Sequence, residues 1–221
     1  MRTIKLFTFP LLIGILMMTI IPFQSCEPDD DEAECDTCNM LYKPNIYIYP
    51  TENIQLTVKL DFPIGGEIVT SIPEYGNGWN VSVDTNGLID NSYSYLFYES
   101  KQPNIWQKSK GWILKRVELE DFFIENMTNY GFYGQEINDF IEYWIPRLDE
   151  FEYYSVYPQN SEIINNVIEI SFSEEPDNLL RFYYVISGFN GLPNNKLIEP
   201  EIDNQFERKG FFATEWGVIL N

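Results

Sequence analysis

The sequence contains no histidine. Ser-His-Asp and Cys-His nucleophilic sites, the common zinc hydrolases and the most frequent general base all need that side chain. No glycine-rich phosphate loop follows a predicted strand, so a nucleotide site is not expected either. An enzyme built from this sequence would have to use carboxylates, Lys, Tyr or Ser, and the sequence predicts no cofactor and no metal.

Positive charge is also scarce. The chain has 14 Lys and Arg against 34 Asp and Glu, which gives a formal net charge of −20. A surface this acidic repels the phosphates of nucleic acids and the headgroups of anionic lipids. We therefore exclude nucleic acid as a partner.

The longest apolar run, Leu6 to Ile21, is about 16 residues and falls short of the roughly 20 that a membrane-spanning helix needs. Two basic residues precede it, and Pro22-Phe23-Gln24-Ser25 leads from it to Cys26, with the small Ser25 directly before the cysteine. This arrangement is typical of a secretory signal, which we assign to residues 1–25. A retained transmembrane helix is the alternative.

Ser25-Cys26 resembles the cleavage site of bacterial lipoproteins, although Phe23 and Gln24 depart from the commonest pattern. Cys26 would then be acylated and would attach the protein to the membrane through its lipid, since each buried methylene contributes about 0.8 kcal/mol. The alternative is an ordinary secreted cysteine.

Seven acids lie between Glu27 and Asp36. Such a run stays solvated, so we interpret residues 26–42 as an acidic tether. An acidic cluster directly after the lipid-bearing Cys also resembles the surface-export signal of lipoproteins in one Gram-negative phylum. We therefore expect an outer-membrane lipoprotein exposed at the cell surface, the alternative being the inner face of that membrane.

The two remaining cysteines, Cys35 and Cys38, are two residues apart at the end of this tether. In an oxidising envelope such a pair closes as a small disulfide loop. Free thiols are one alternative. A redox or metal site is another, but the acidic surroundings oppose a lowered thiol pKa, and zinc needs about four ligands.

From residue 43 to 221 the sequence predicts one α+β domain of mostly antiparallel, sandwich-like sheets with two inserted helices. Alternating apolar and polar residues indicate strands on both sides of a central region with helical periodicity. That region predicts helices at about 118–130 and 134–147, packed on the sheet as a pair. The acidic segment 174–178 predicts the turn of a hairpin between strands 167–172 and 179–187.

Two glutamates lie beside aromatic residues in predicted strands: Glu99 and Glu215. Apolar surroundings raise a carboxyl pKa, and a neutral acid paired with an ionised one cleaves glycosidic bonds. Glu99 and Glu215 are therefore candidate catalytic residues. The alternative is two structural acids that pair with cations or lie at strand ends.

Four aromatic residues in Gly-, Asn- or Pro-containing stretches are candidates for a sugar-binding surface, because aromatic faces stack on the apolar faces of sugars. The alternative for each of them is core packing. They are Tyr75, Trp79, Trp106 and Trp112.

Several segments together resemble an uncharacterised bacterial domain family whose members begin with Lys-Pro-x-Ile-Tyr-x-Tyr-Pro. The matching segments here are residues 43–50, 72–79, 95–100, 143–148 and 208–217. Ile72, Tyr98 and Ser100 depart from the family pattern. The resemblance covers about residues 43–217 and implies a domain without an assigned activity, in which Glu99 and Glu215 fall inside recurring motifs.

The leading hypothesis is a non-enzymatic, lipid-anchored envelope protein that binds a glycan or a protein. One alternative is a carboxylate-dependent enzyme that acts on glycans. Another is a scaffold subunit of an envelope complex. The sequence leaves the oligomeric state open.

Overall fold

The structure, a computed structural model, describes residues 38–191, 196–202 and 206–221, all within one compact unit, Cys35–Asn221. It confirms the α+β class, with mostly antiparallel sheets and two helices packed on one of them. The strands are β1 (Cys38–Tyr49), β2 (Ile54–Asp61), β3 (Glu67–Ile72), β4 (Trp79–Val83), β5 (Leu96–Pro103), β6 (Trp112–Lys115), β7 (Tyr153–Gln159), β8 (Glu169–Phe172), β9 (Asn178–Phe189) and β10 (Phe212–Leu220); the helices are α1 (Leu119–Tyr130), α2 (Gln135–Trp144) and α3 (Ser161–Asn165).

The larger sheet has seven strands in the order β3-β5-β1-β10-β9-β7-β6. Its neighbours are antiparallel with one exception, because β10 runs parallel to β9. The central strands β1, β10 and β9 carry long buried runs, as expected for strands covered on both faces.

The smaller sheet, β4-β2-β8, covers one face of the larger sheet. Alternate residues of β2 and β4, such as Leu56, Val58 and Trp79, enter the core between the sheets together with Ile46 and Ile48 of β1. Strand alternation sends the intervening β1 residue, Tyr47, to the opposite face.

The helices α1 and α2 cover that opposite face of the larger sheet. Apolar residues of α1 and α2, including Phe123 and Phe140, form a second core with Trp216 and Tyr184 of the sheet. Gly131 ends α1 in a left-handed conformation, with φ of 106°, and its N–H donates to the Met127 carbonyl at 3.1 Å. The domain thus has three layers: small sheet, large sheet and helices.

Two sequence expectations need correction. The strands 167–172 and 179–187 do not form a hairpin, because β8 pairs with β2 whereas β9 pairs with β10 and β7. The segment 174–178 therefore crosses from one sheet to the other. The folded domain also begins before residue 43, since β1 starts at Cys38 and buries Leu41 completely.

The predicted signal, Cys26, Cys35 and most of the tether lie outside the described residues. Cys38 is disulfide-bonded. Because Cys35 lies outside the described residues, its pairing with Cys38 stays a prediction. None of the helices in the described ranges has the length and apolar character to span a membrane.

Candidate functional site

Glu215 lies in the centre of β10, with none of its surface exposed, on the face between the two sheets. One carboxylate oxygen, Oε2, accepts from Arg181 Nε at 2.5 Å. The other, Oε1, accepts from the hydroxyls of Tyr98 and Tyr183, each at 2.7 Å. Both oxygens of Glu215 are therefore occupied by protein donors.

The guanidinium of Arg181 has hydrogen-bond acceptors on all three of its nitrogens. Its Nη1 donates to Asn165 Oδ1 at 2.7 Å and to the Ile168 carbonyl at 2.5 Å, and its Nη2 donates to Tyr183 Oη at 3.1 Å. Together with the bond to Glu215, four of the five N–H groups of Arg181 have acceptors, which offsets most of the cost of burying the ion pair. The pair and the two tyrosines form a sealed structural network.

Glu99 lies on the opposite face of its sheet from Glu215. In β5 the buried Leu96 and Tyr98 face the small sheet, so the alternating Glu99 points towards the helix side. The structure therefore does not bring Glu99 and Glu215 together, and it encloses Glu215 without solvent access. Their catalytic role stays a prediction that this geometry does not support.

Tyr75 and Trp79 lie together in the core between the sheets. Their ring centroids are 4.8 Å apart at nearly a right angle, and Trp79 is 1 % exposed. The indole N–H of Trp79 donates to the Pro73 carbonyl at 2.8 Å. The Tyr75 hydroxyl accepts from the Leu60 N–H at 2.7 Å and donates to the Leu60 carbonyl at 3.2 Å. These two rings stabilise the core and present little surface to a sugar.

Trp106 and Trp112 lie apart from that pair and from each other. Trp106 is 6 % exposed and packs edge-on against Tyr183, next to the sealed network. Trp112, on β6, is half-buried against Phe122 of α1. The four predicted aromatic residues therefore do not form one surface, and their binding role stays a prediction.

A concave surface forms a groove near the start of β9. We call it the Tyr130 groove. It has two adjoining parts of about 440 and 550 Å³, which share Tyr130, Asn160 and Phe182. Volumes of 300–1,000 Å³ are usual for small-ligand sites.

Aromatic residues form part of the groove lining. Tyr130 ends α1 and lies over Phe182 of β9, with ring centroids 3.9 Å apart. Tyr130 is 9 % exposed, and burial raises its pKa to about 12. Its hydroxyl makes no hydrogen bond among the described residues, so a neutral O–H donor and acceptor is available at the groove.

Polar side chains surround these rings. Exposed Glu162 and Glu201 carry negative charge, and Lys110 is the basic side chain among the lining residues of the first part. Asn178 adds a half-exposed amide to the second part. The groove therefore combines apolar surface with hydrogen-bonding groups and an excess of carboxylates.

The sequence predicted a helix that ends at about residue 130 and a strand over 179–187, but it did not predict the groove to which Tyr130 and Phe182 contribute. The helical periodicity correctly predicts which face of α1 is buried. It does not predict which residues of that face lie at the edge of the core, where a groove can form. The useful signal is Gly131, which stops α1 directly after Tyr130 and leaves the ring at a helix end.

Within the ranges that the structure describes, no group of three or more Cys, Asp or Glu side chains is arranged to hold a metal ion. Comparison of the chain with protein-family models, with curated proteins and with solved structures found no match. Inferences about function therefore depend on the geometry of the Tyr130 groove and on the chemistry of its lining.

Replacing one partner of the buried pair should destabilise the domain strongly. Arg181→Met leaves the Glu215 carboxylate buried without its cation, and Glu215→Leu does the same to Arg181. We expect each change to lower the free energy of unfolding by about 3–5 kcal/mol. Urea denaturation followed by circular dichroism measures the loss.

The exposed pair Lys115–Glu118, 3.9 Å apart, is the matched control. Lys115→Met should cost at most about 1 kcal/mol. The double variant Arg181→Met/Glu215→Leu should lose less than the sum of the two single losses, because neither charge is left alone. Additive losses would contradict the network.

Stability should fall at alkaline pH. Burial raises the pKa of Tyr98, Tyr183 and Tyr184 well above the ordinary value of 10.0. Above that pH the unfolded chain releases phenolic protons that the folded chain retains, so the free energy of unfolding decreases as pH rises. Urea denaturation at about pH 8 and about pH 11 measures the difference.

The ultraviolet absorbance of phenolate, followed as pH rises, provides a second measurement. Several of the 15 tyrosines should ionise only when the chain unfolds. Smooth ionisation of all tyrosines in a chain that remains folded would argue against the buried hydroxyls.

Proposed function

We propose that the chain is a lipid-anchored envelope protein whose folded domain binds a neutral oligosaccharide in the Tyr130 groove. The observation that carries this proposal is the groove itself, with its two adjoining parts of about 440 and 550 Å³. An elongated concave surface of this size suits a linear ligand, whereas protein interfaces are typically larger and flatter.

The groove lining favours a sugar chain. Sugars carry apolar ring faces and many hydroxyls, so their sites combine aromatic carbon with amides and carboxylates. The groove offers the rings of Tyr130 and Phe206, the amide of Asn178 and the carboxylate of Glu162. The unused hydroxyl of Tyr130 adds one more group that both donates and accepts.

Charge favours a neutral ligand. The groove is lined by Glu162, Asp177 and Glu201 against Lys110 and Arg181, and Glu215 already neutralises Arg181. The chain as a whole carries −20. An acidic sugar would be repelled from this surface, whereas sugar hydroxyls donate readily to carboxylates. We put forward no enzymatic role, because Glu99 and Glu215 lie on opposite faces of the larger sheet.

The anchored location is supported by the sequence. The basic start, the apolar run and Cys26 together resemble a lipoprotein signal, and the acidic run after Cys26 suits a solvated tether. A binding domain held in this way could capture polysaccharide outside the membrane.

Filling the groove should abolish glycan binding. Ser109 is exposed in the first part of the groove, so Ser109→Trp should occupy that space without disturbing the core. We expect the purified full chain in detergent to bind neutral oligosaccharides on a glycan array, and the Ser109→Trp variant to lose that binding.

Two matched controls accompany this test. Ser92→Trp adds the same ring at an exposed turn that lines none of the described pockets, and it should bind normally. Tyr130→Phe removes only the free hydroxyl and should weaken binding by about 2- to 10-fold, whereas Tyr133→Phe, at a 73 % exposed position, should not. A blank array, or equal loss in both Trp variants, would sink the proposal.

Location has a separate test in the cell. Radiolabelled palmitate should be incorporated into the chain and should be lost in the Cys26→Ser variant. Protease added to intact cells should remove the wild-type protein, because we expect it on the outer surface. Full protection in intact cells, with digestion after the outer membrane is opened, would instead place it on the inner face.

A further inference from the structure

Lys43 occupies an unusual position on the helix side of the larger sheet. The pairing of β1 shifts register between Tyr42 and Asn45, and Lys43 in this bulge has a left-handed φ of 55°. A non-glycine residue rarely adopts this conformation, so the surrounding structure must hold it there.

Three aromatic rings surround the ammonium group of Lys43. Its Nζ lies 4.6 Å from the ring centroids of both Tyr95 and Phe97, and 5.5 Å from that of Tyr143. Cation–π contacts of this length fix an ammonium without neutralising its charge. Lys43 and the three rings are all partly exposed.

Hydrogen bonds hold the ammonium further. Nζ donates to Tyr95 Oη at 3.1 Å and to Asn45 Oδ1 at 3.3 Å. Asn45 is fully buried and donates in turn to the Tyr47 hydroxyl at 3.3 Å. An ammonium has three N–H groups, and the described residues supply partners for two of them.

A second cation shares one of these rings. The guanidinium carbon of Arg147 lies 3.7 Å from the centroid of Tyr143, and Arg147 Nη1 donates to the Tyr143 carbonyl at 2.6 Å. Among the described residues, this bond uses one of the five N–H groups of the Arg147 guanidinium, so the other four remain available to a ligand. The ring of Tyr143 thus contacts both Lys43 and Arg147.

No carboxylate neutralises these two cations within the described ranges. Neither Lys43 nor Arg147 forms an ion pair there, although the chain carries 34 acids. Asp139, which lies close by, accepts from Tyr47 at 2.8 Å with one oxygen and from Gln135 at 2.6 Å with the other. Glu99, two residues beyond Phe97 on the same face of β5, forms no ion pair either.

We propose that Lys43 and Arg147 form a binding site for the anionic group of an acidic saccharide, with Tyr95, Phe97 and Tyr143 packing against its sugar ring. The free N–H groups suit a carboxylate or a sulfate ester, both of which accept two donors. An anionic membrane is a poorer fit, because a wide flat surface of negative charge would face the whole acidic protein, whose net charge is −20, whereas a single anionic group at this site meets Lys43 and Arg147 first.

This site shares no residue with the Tyr130 groove, so it can be tested independently. Three segments that are far apart in the sequence come together in it: residues 43–47 of β1, residues 95–97 at the start of β5, and residues 143–147 at the end of α2 and in the turn that follows it.

Calorimetry with the purified full chain in detergent tests the proposal. The probes are oligogalacturonate for the carboxylate, heparin-derived oligosaccharide for the sulfate ester, and a neutral glucose oligomer of similar length. At least one acidic probe should bind, and Lys43→Gln or Arg147→Gln should each weaken that binding about tenfold or more. Which of the two acidic probes binds tells the carboxylate from the sulfate ester.

Matched cation variants control for net charge. Lys59→Gln removes an exposed lysine from the small sheet, and Arg116→Gln removes an exposed arginine whose Nη1 also donates to a backbone carbonyl, at 2.7 Å. Both should bind within about twofold of wild type. If Lys43→Gln does not fold, the exposed Arg147→Gln still decides the outcome.

Three results would overturn the proposal: neither acidic probe binds, the control variants lose binding as much as the site variants do, or the chain binds vesicles containing anionic phospholipid but no saccharide. Loss of acidic-probe binding in Ser109→Trp would also overturn it, because that change fills only the Tyr130 groove. If no neutral glycan binds on the array, the proposal for the Tyr130 groove is overturned but the proposal for Lys43 and Arg147 is not. The two proposals can therefore fail separately.

Discussion

The pair of Arg181 and Glu215 is the interaction on which the three-layer arrangement depends. Arg181 belongs to β9 and Glu215 to β10, and the pair also reaches Tyr98 of β5. Through Ile168, Arg181 holds the segment that leads into β8 of the smaller sheet. One charged pair therefore connects three strands of the larger sheet to the start of the smaller one. Such a pair does not by itself imply high stability, but it favours one arrangement of the two sheets over others.

The parallel alignment of β9 and β10 brings the same pair together and positions the Tyr130 groove. In this alignment Arg181 is directly opposite Glu215. Parallel neighbours need a long crossover, here the segment between Phe189 and Phe212. Parts of that segment line the groove through Glu201 and Phe206, and Arg208 attaches it to the end of α1 by donating to the Gly131 carbonyl at 3.0 Å. The groove wall is thus a consequence of strand direction.

Local patterns in the sequence predicted most of the strands and both long helices, because alternation and helical periodicity depend only on nearby residues. Strand pairing depends on distant ones, and the hairpin expected at 174–178 was wrong because β8 joins the smaller sheet. The same limit explains why the sequence predicted functional roles for Glu215 and Trp79. An aromatic neighbourhood indicated an apolar setting, but only the fold reveals that Arg181 and Pro73 already satisfy their polar atoms. The Lys43 site needed three distant segments and could not be read from any one of them.

The position of β1 has a consequence for how the chain folds. Among the residues that the structure describes, β1 is the earliest strand, yet it pairs with β10, the latest, in a register that places Leu41 opposite Ile219. The centre of the larger sheet can therefore form only after nearly all of the chain has been synthesised. Contacts between such distant segments make folding slow, since the loop-closure entropy must be overcome before the pairing stabilises anything. A chain with this topology therefore stays unfolded for longer than one of the same length whose strands pair with their neighbours in sequence.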